Sequence, residues 1–261
     1  MSKYRVSAQL YTVRDFLKTP EDMKATFKRI KKIGYDYAQI SGLGPIEPAA
    51  LRALMLDAGV TPIGAHIGLD EFRTNLAKVV ADCKAWGIKY VAIPWLNVGD
   101  YTTPEAWKKL FKEFDGYAKA LKKEGIVVQY HNHAFEFEKL GVKNGVGGKT
   151  ILDMMYDSTK YLQAELDFGW VKWGGGCPVG WAAKMAGRLD QVHLKDWGIK
   201  DNGLIFRELG EGCVNWPAVV KACKAAGTKD FIVEQDSCPM TNDPFLSLAM
   251  SRKYLKKVIG L

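Results

Sequence analysis

The sequence predicts an α/β fold, a single (β/α)8 TIM barrel spanning residues 1–261, on three observations. An amphipathic helical pattern, a glycine and a short apolar run recur in that order along the chain. Strands that alternate with helices imply a parallel sheet covered by helices. Eight such strands alternate with eight helical segments, which matches a closed barrel in a chain of about 250 residues. An open doubly wound sheet is the alternative. That fold usually carries a glycine fingerprint after its first strand, and Leu10-Tyr11-Thr12 has none.

Residues 4–10 read as the first strand. Thr19-Pro20-Glu21-Asp22 then supplies an N-cap and a proline for the first turn of a helix. Met23, Phe27 and Ile30 recur at i, i+4 and i+7 along it. Gly34 ends it, and residues 35–41 form the second strand. A helix over 48–58, Gly59 and a strand over 61–67 follow, then a helix over 76–86, Gly87 and a strand over 90–94. Thr103-Pro104-Glu105 opens a long helix with Trp107, Leu110, Phe111, Phe114, Ala118 and Leu121 on one side; Gly125 ends it. The fifth strand starts at Val127 and runs into Tyr130-His131-Asn132-His133. The glycine-rich stretch 141–148 reads as a flexible connection. Its Gly147-Gly148-Lys149-Thr150 resembles a phosphate-binding loop, but that motif needs a glycine where Lys143 stands. The remaining units are a helix over 150–158 with a strand over 162–168, a helix over 178–186 with a strand over 191–195, and a helix over 216–226 with a strand over 231–235. Gly187 and Gly227 stop the last two of these helices, and a helix over 244–258 closes the pattern.

Composition narrows the function classes. With 48% hydrophobic residues, the 261-residue chain has material for a sizeable core, and no apolar run is long enough to cross a membrane. The N-terminus reads as a strand, not as a signal peptide. Five cysteines (Cys83, Cys177, Cys213, Cys223, Cys238) are odd in number and form no CxxC pair, so a reducing, cytoplasmic location is expected. A net charge of +8 would suit nucleic acid. However, Lys24, Lys28, Lys31 and Lys32, and again Lys108, Lys109, Lys112, Lys119, Lys122 and Lys123, lie on the polar sides of amphipathic helices and read as solvated faces. The expected partner is a small molecule, neither nucleic acid nor membrane, and a homo-oligomer is left open.

In a (β/α)8 barrel the active site lies at the C-terminal ends of the strands. Those ends carry Gln9, then Gln39 and Ser41, then His66, then Pro94-Trp95. They continue with His131, His133 and Glu136; Glu165, Asp167 and Trp170; His193, Lys195 and Asp196; and Glu234 and Asp236. All four histidines of the chain sit there, where a purely structural barrel would place valine, isoleucine and leucine. Carboxylates with imidazoles suit a divalent ion such as Mn, Mg, Co or Zn, with manganese favoured. The best set is Glu136, Asp167, His193 and Glu234. The alternative is a salt-bridge network across the mouth, but buried ion clusters are poor stabilisers. His133, His131, Glu234 and Lys195 are the candidates for proton transfer; Lys195 reads equally as the ion-pair partner of a carboxylate such as Asp167. Gln9, His66, Trp95, Trp170, Lys195 and Asp196 are the candidates for substrate contact. The two tryptophans would stack on the apolar face of a sugar, and His66 reads equally as a hydrogen-bonded core histidine. Cys177 and Cys213 have no neighbouring base in sequence and are not read as nucleophiles.

These motifs resemble the xylose-isomerase-like barrel superfamily, which includes sugar phosphate isomerases/epimerases and inosose dehydratases and is related to apurinic-site endonucleases. The resemblance rests on Tyr130-His131-Asn132-His133 with Glu136-Phe137, on Leu166-Asp167 with Trp170, on Val192-His193-Leu194-Lys195-Asp196 and on Val233-Glu234. The opening Gln9-Leu10-Tyr11-Thr12-Val13-Arg14-Asp15 is also typical of its members. The resemblance implies a divalent metal held by Glu, Asp, His and Glu from strands five to eight, which Asp167, His193 and Glu234 match. In the ketose epimerases the first glutamate lies on strand five itself, where this chain has Gln129; Glu136 in the following loop is its expected replacement. An imidazole, His131 or His133, would then supply one of the proton-transfer groups. The implied activity is isomerisation or epimerisation of a keto-sugar or cyclic polyol by proton abstraction next to a carbonyl. The same chemistry with a leaving group gives a dehydratase or lyase on an inosose or 3-keto-glycoside. An abasic-site endonuclease would use a three-metal cluster rich in histidines, for which four are too few, and a non-catalytic sugar-binding subunit is the remaining alternative.

Overall fold

Eight short parallel strands close on themselves in the computed structural model, which describes residues 4–140 and 148–261. In chain order they are β1 (Arg5–Gln9), β2 (Tyr37–Ile40), β3 (Thr61–His66), β4 (Tyr90–Ile93), β5 (Val127–His131), β6 (Gln163–Asp167) and β7 (Gln191–Leu194). An antiparallel hairpin of β8 (Asp196–Lys200) and β9 (Gly203–Arg207) follows, and β10 (Asp230–Val233) closes the barrel between β7 and β1. Most of the stretch 141–148 lies outside the described residues, so the flexible-connection reading of it does too.

Local chemistry explains the connecting helices. In α1 (Pro20–Ile33), Thr19 and Asp22 form a reciprocal capping box and Pro20 occupies the first turn. Gly34 ends the helix at φ 106°, a left-handed conformation that L side chains avoid. Met23, Phe27 and Ile30 are fully buried. The other long helices are α2 (Pro48–Asp57), α4 (Leu76–Trp86), α5 (Pro104–Lys122), α6 (Ile151–Ser158), α9 (Trp216–Ala226) and α10 (Pro244–Tyr254). Three short ones are α3 (Leu69–Thr74), α7 (Phe168–Trp173) and α8 (Pro178–Lys184). The expected last helix, 244–258, is α10 followed by a π turn over Leu255–Ile259. Among the described residues, no helix is long and apolar enough to cross a membrane.

Three elements escaped the sequence pattern. The helices α3 and α7 are too short to show a 3.6-residue period. The β8–β9 hairpin turns through Asp201 and Asn202, both at positive φ (49° and 63°), before Gly203. That two-residue turn matches the right-handed twist of its strands, so Asp201-Asn202-Gly203 was the readable signal.

The strands alternate strictly. Ala8, Ala38, Ala65, Val91, Val128, Tyr130, Ala164, Leu166, Val192, Leu194 and Phe231 belong to the buried apolar core under the helices. The alternate positions hold Ser7, Gln9, Gln39, Gln129, His131, Glu165, Asp167, Gln191 and His193, all buried. Register pairs Gln9 with Gln39, His131 with Glu165 and Asp167 with His193, so these side chains converge inside the barrel. At the floor, Asp230 accepts from Arg5 Nε and Nη2 (2.5 and 2.8 Å) and from Gln191 Nε2 (2.9 Å). Gln191 also donates to the Ile63 carbonyl (3.1 Å).

Candidate active site

The C-terminal ends of the strands open into a cavity of about 260 Å³ lined by Tyr11, Ser41, His66, Pro94, Trp95, His131, His133, Lys195, Glu234 and Asp236. Beneath it the strand-end side chains form a continuous polar array. Gln9 Nε2 donates to Gln39 Oε1 at 2.7 Å, and Gln39 Nε2 donates to Glu165 Oε1. Glu165 Oε2 lies 2.7 Å from His66 Nε2 across the barrel. His193 places Nε2 at 2.7 Å from Gln39 Oε1 and Nδ1 at 2.7 Å from Glu234 Oε2. The Lys195 ammonium lies 3.1 Å from Asp167 Oδ2, 3.2 Å from Glu234 Oε2 and 2.8 Å from Asp236 Oδ2.

The approach of α7 to the end of β7 sets part of this arrangement. A Cβ on Gly169 would stand 2.4 Å from the Lys195 carbonyl oxygen, so only glycine allows the contact. Asp167 caps α7 by accepting from the Trp170 N–H (3.0 Å), while its own N–H is held by Asn132 (3.0 Å). The hairpin lays Phe206 against Trp170 and Trp173, with ring centroids 5.6 and 6.0 Å apart. Trp170 in turn covers His133 at 5.3 Å and lies 5.0 Å from the Lys195 ammonium. This aromatic cover keeps water from one side of the charged array.

The electrostatics follow from burial and from who faces whom. Burial opposes the charge on His193, but Glu165 and Glu234 outweigh it and raise its pKa to about 10. Burial likewise opposes ionisation of Glu165 and Glu234. The imidazoles around Glu165, and Lys195 with His193 beside Glu234, win and hold both carboxyls well below the usual range. Asp167 is raised to about 6, because burial outweighs the pull of Lys195. Burial first, then His193, holds the His131 pKa well below that of a free imidazole. Burial and then Lys195 press His133 down to about 3, so its ring is neutral at physiological pH.

Four residues present one donor atom each within 4.8 Å of one another: His131, Asp167, His193 and Glu234, all buried. Asp167 Oδ2 and His131 Nδ1 have no aligned hydrogen-bond partner, although Lys195 Nζ stands 3.1 Å from the first and Glu165 Oε2 3.6 Å from the second. Buried polar atoms left unpaired are costly, and a divalent ion would satisfy both. Two imidazoles and two carboxylates fit such an ion.

The model of the xylose isomerase-like TIM barrel family matches residues 27–256. The chain belongs to that family. Within the xylose isomerase-like family it is similar to an inosose dehydratase of Clostridium beijerinckii, 25% identical over 178 residues, or 61% of this chain and 57% of that protein. The chain thus matches little more than half the length of that curated relative. An inosose dehydratase of Geobacillus kaustophilus is 21% identical over 270 residues, covering 87% of this chain and 84% of that one. Among solved structures, a sugar phosphate isomerase/epimerase from Parabacteroides distasonis superposes with a TM-score of 0.84 at 23% identity, covering 98% of both chains. An L-ribulose 3-epimerase does so at 0.72 and 14% identity, covering 97% of this chain and 93% of that one. At these identities the superpositions show the shared fold.

For this member of the xylose isomerase-like family, the structure brings together three of the four ligands expected from sequence. Asp167, His193 and Glu234 converge; Glu136 does not join them. Glu136 sits in a turn after β5, where its carboxylate accepts from Tyr130 Oη (2.6 Å) and from the His133 N–H (2.9 Å). Tyr130 points away from the barrel axis, so Glu136 follows it to the helix side. His131 takes the fourth place. Gln129 lies two residues lower on β5 and donates to the Ala164 carbonyl (3.3 Å). Asp196, expected to contact substrate, is turned to the loop before α9. It accepts from the N–H groups of Gly210, Cys213 and Val214 and from Trp216 Nε1. Gln9 is buried beneath the cavity, whereas His66 lines it. Trp95 is 60% exposed at the rim, edge-on to His133 with centroids 5.2 Å apart. Trp170 is cover, not lining. Glu165 and Gln39, which sequence reasoning left without a role, hold the array together. The readable signal was parity, since Glu165 shares the inward face of β6 with Asp167.

Proposed function

We propose that the chain is an enzyme that removes a proton next to the carbonyl of a keto-sugar or cyclic polyol, with a divalent ion held by His131, Asp167, His193 and Glu234. The observation that supports it is the convergence of these four donors beside a cavity that also contains a neutral imidazole, His133. Manganese is the favoured ion, with cobalt, magnesium and zinc as alternatives; the carboxylates suit harder ions and the imidazoles softer ones. Bound there, the ion would act as a Lewis acid that stabilises negative charge developing on a carbonyl oxygen.

The chain's own residues do the rest. His133 lines the cavity, and as a neutral imidazole it can accept a proton from substrate; its unpaired Nδ1 is buried. Glu234 is the alternative base, but its charge is engaged by His193 and Lys195. Lys195 stays protonated among three carboxylates, its pKa raised by Asp167, Glu234 and Asp236 against burial, and so keeps Asp167 and Glu234 in place. Trp95 and Tyr11 at the rim offer aromatic surface to a sugar ring. Return of the proton to a new position gives an isomer or epimer. Loss of a neighbouring hydroxyl or alkoxide instead gives a dehydratase or lyase, and this second reading gains support from relatives named inosose dehydratase.

The test combines elemental analysis of protein purified without chelator with incubation of the loaded protein in heavy water alongside keto-sugars and inososes. One divalent ion per chain and solvent deuterium at the carbon next to the carbonyl are expected. A chain that takes up none of manganese, cobalt, magnesium or zinc overturns the proposal.

A further inference from the structure

Below the four proposed ligands, Glu165 stands at the centre of three imidazoles. Its Oε2 lies 2.7 Å from His66 Nε2, 3.3 Å from His193 Nε2 and 3.6 Å from His131 Nδ1. In a tetrahedral zinc site with bonds of about 2.0–2.1 Å, two ligand atoms lie about 3.3 Å apart. The observed spacings bracket that value. All four residues present a donor within 4.8 Å of the others. His131 is 2% exposed, and its Nδ1, the atom turned towards Glu165, has no hydrogen-bond partner.

We propose that His66, His131, Glu165 and His193 form an inner metal position selective for zinc, whose occupation excludes an ion from the outer position formed by His131, Asp167, His193 and Glu234. The exclusion rests on the reading that the outer set holds the working ion. Three imidazoles and one carboxylate suit zinc, whereas two carboxylates shift the outer set towards harder ions such as manganese. The two sets share His131 and His193. A neutral imidazole has one nitrogen lone pair, so neither ring serves two ions at once.

For His193, which must give up a proton to hold either ion, the choice is one of tautomer. Its Nδ1 faces Glu234 Oε2 at 2.7 Å; its Nε2 faces Gln39 Oε1 at 2.7 Å and Glu165 Oε2 at 3.3 Å. With the proton on Nδ1, donated to Glu234, the lone pair points inward to Glu165. With the proton on Nε2, donated to Gln39, the lone pair points outward to Glu234. Gln39 is fixed as the acceptor, because its amide nitrogen is committed to Glu165 and its oxygen also receives Gln9 Nε2. Zinc therefore acts as an inhibitor that draws both shared histidines inward.

The test uses the full chain stripped of metal. Zinc affinity is read by competition with a chromophoric chelator, manganese affinity by the paramagnetic resonance of the free ion, and each variant is checked by a thermal melt. One zinc per chain, displacing manganese one for one, is expected. His66→Gln should weaken zinc roughly a hundredfold and shift manganese by less than about threefold; Asp167→Asn should do the reverse. If His66→Gln fails to fold, Glu165→Gln gives the same zinc readout, and Glu234→Gln stands in for Asp167→Asn. The inner position is overturned if zinc binding follows Asp167→Asn and ignores His66→Gln, if zinc and manganese bind together, or if manganese binds and zinc does not. Each of those results leaves the outer reading standing. Zinc bound through His66 in a chain that never takes manganese keeps the inner position and sinks the outer one.

Discussion

At the floor of the barrel Arg5, Asp230 and Gln191 bury charge in the same interior that holds Glu165, Asp167, His193 and Glu234 at the mouth, yet the two ends are built differently. On the floor both carboxylate oxygens of Asp230 receive aligned donors. The atoms left unpaired below the mouth are Ser7 Oγ, Gln129 Oε1 and Gln191 Oε1, which are neutral. At the mouth the unpaired atoms are Trp170 Nε1, in the aromatic cover, His131 Nδ1, His133 Nδ1, Asp167 Oδ2 and Asp236 Oδ2. The last two stand at ion-pair distance from Lys195 without hydrogen-bond alignment. A buried polar cluster whose charges all meet aligned partners is a plug. One that leaves imidazole nitrogens without partners, beside carboxylate oxygens met only by an unaligned ammonium, is a site.

The sharpest way to break this comparison is to disable the mouth alone. Asp167→Asn should weaken manganese binding roughly a hundredfold or more and take the activity with it; calorimetric titration showing undiminished affinity would remove Asp167 from the ligand set. His133→Ala separates chemistry from metal. It should lower kcat by roughly a hundred- to ten-thousandfold with manganese affinity retained, and a full rate on the true substrate would place the base elsewhere.

The floor should respond in the opposite sense. Arg5→Met leaves Asp230 buried with Gln191 alone. Removing one partner of a buried pair is strongly destabilising, but the Arg5 side chain is 38% exposed, so a loss of about 2–3 kcal/mol is expected after allowing for solvent. Denaturant melts would show it, and metal affinity should not move; a shift in affinity would mean that floor and mouth are coupled.

Glu136 gives the smallest and most specific test. Burial raises its carboxyl from the ordinary 4.5 to about 7, against the hydrogen bonds from Tyr130 and the His133 N–H. The folded state therefore holds a proton that the unfolded chain releases between those two values, and stability falls as pH rises through that window. Glu136→Gln should remove that part of the slope in melts between pH 5 and pH 8. A slope unchanged from the parent chain would show that the carboxylate is not the group that titrates.

The sequence by itself determined the barrel and the identity of the polar strand ends. Caps such as Thr19 with Asp22, glycine stops such as Gly34, and apolar runs of period 2 or 3.6 are local signals, so they survive without knowledge of the fold. Position at the strand ends also put His131, Asp167, His193 and Glu234 on one list, with Glu136 chosen ahead of His131 as the fourth ligand. Only the tertiary structure decided which of them meet. Strand stagger sets the height of each side chain in the barrel, and height is not written in any one strand. Glu165 thus meets three histidines from three other strands, while hydrogen bonds outside the barrel interior take Glu136 to Tyr130 and Asp196 to the loop before α9.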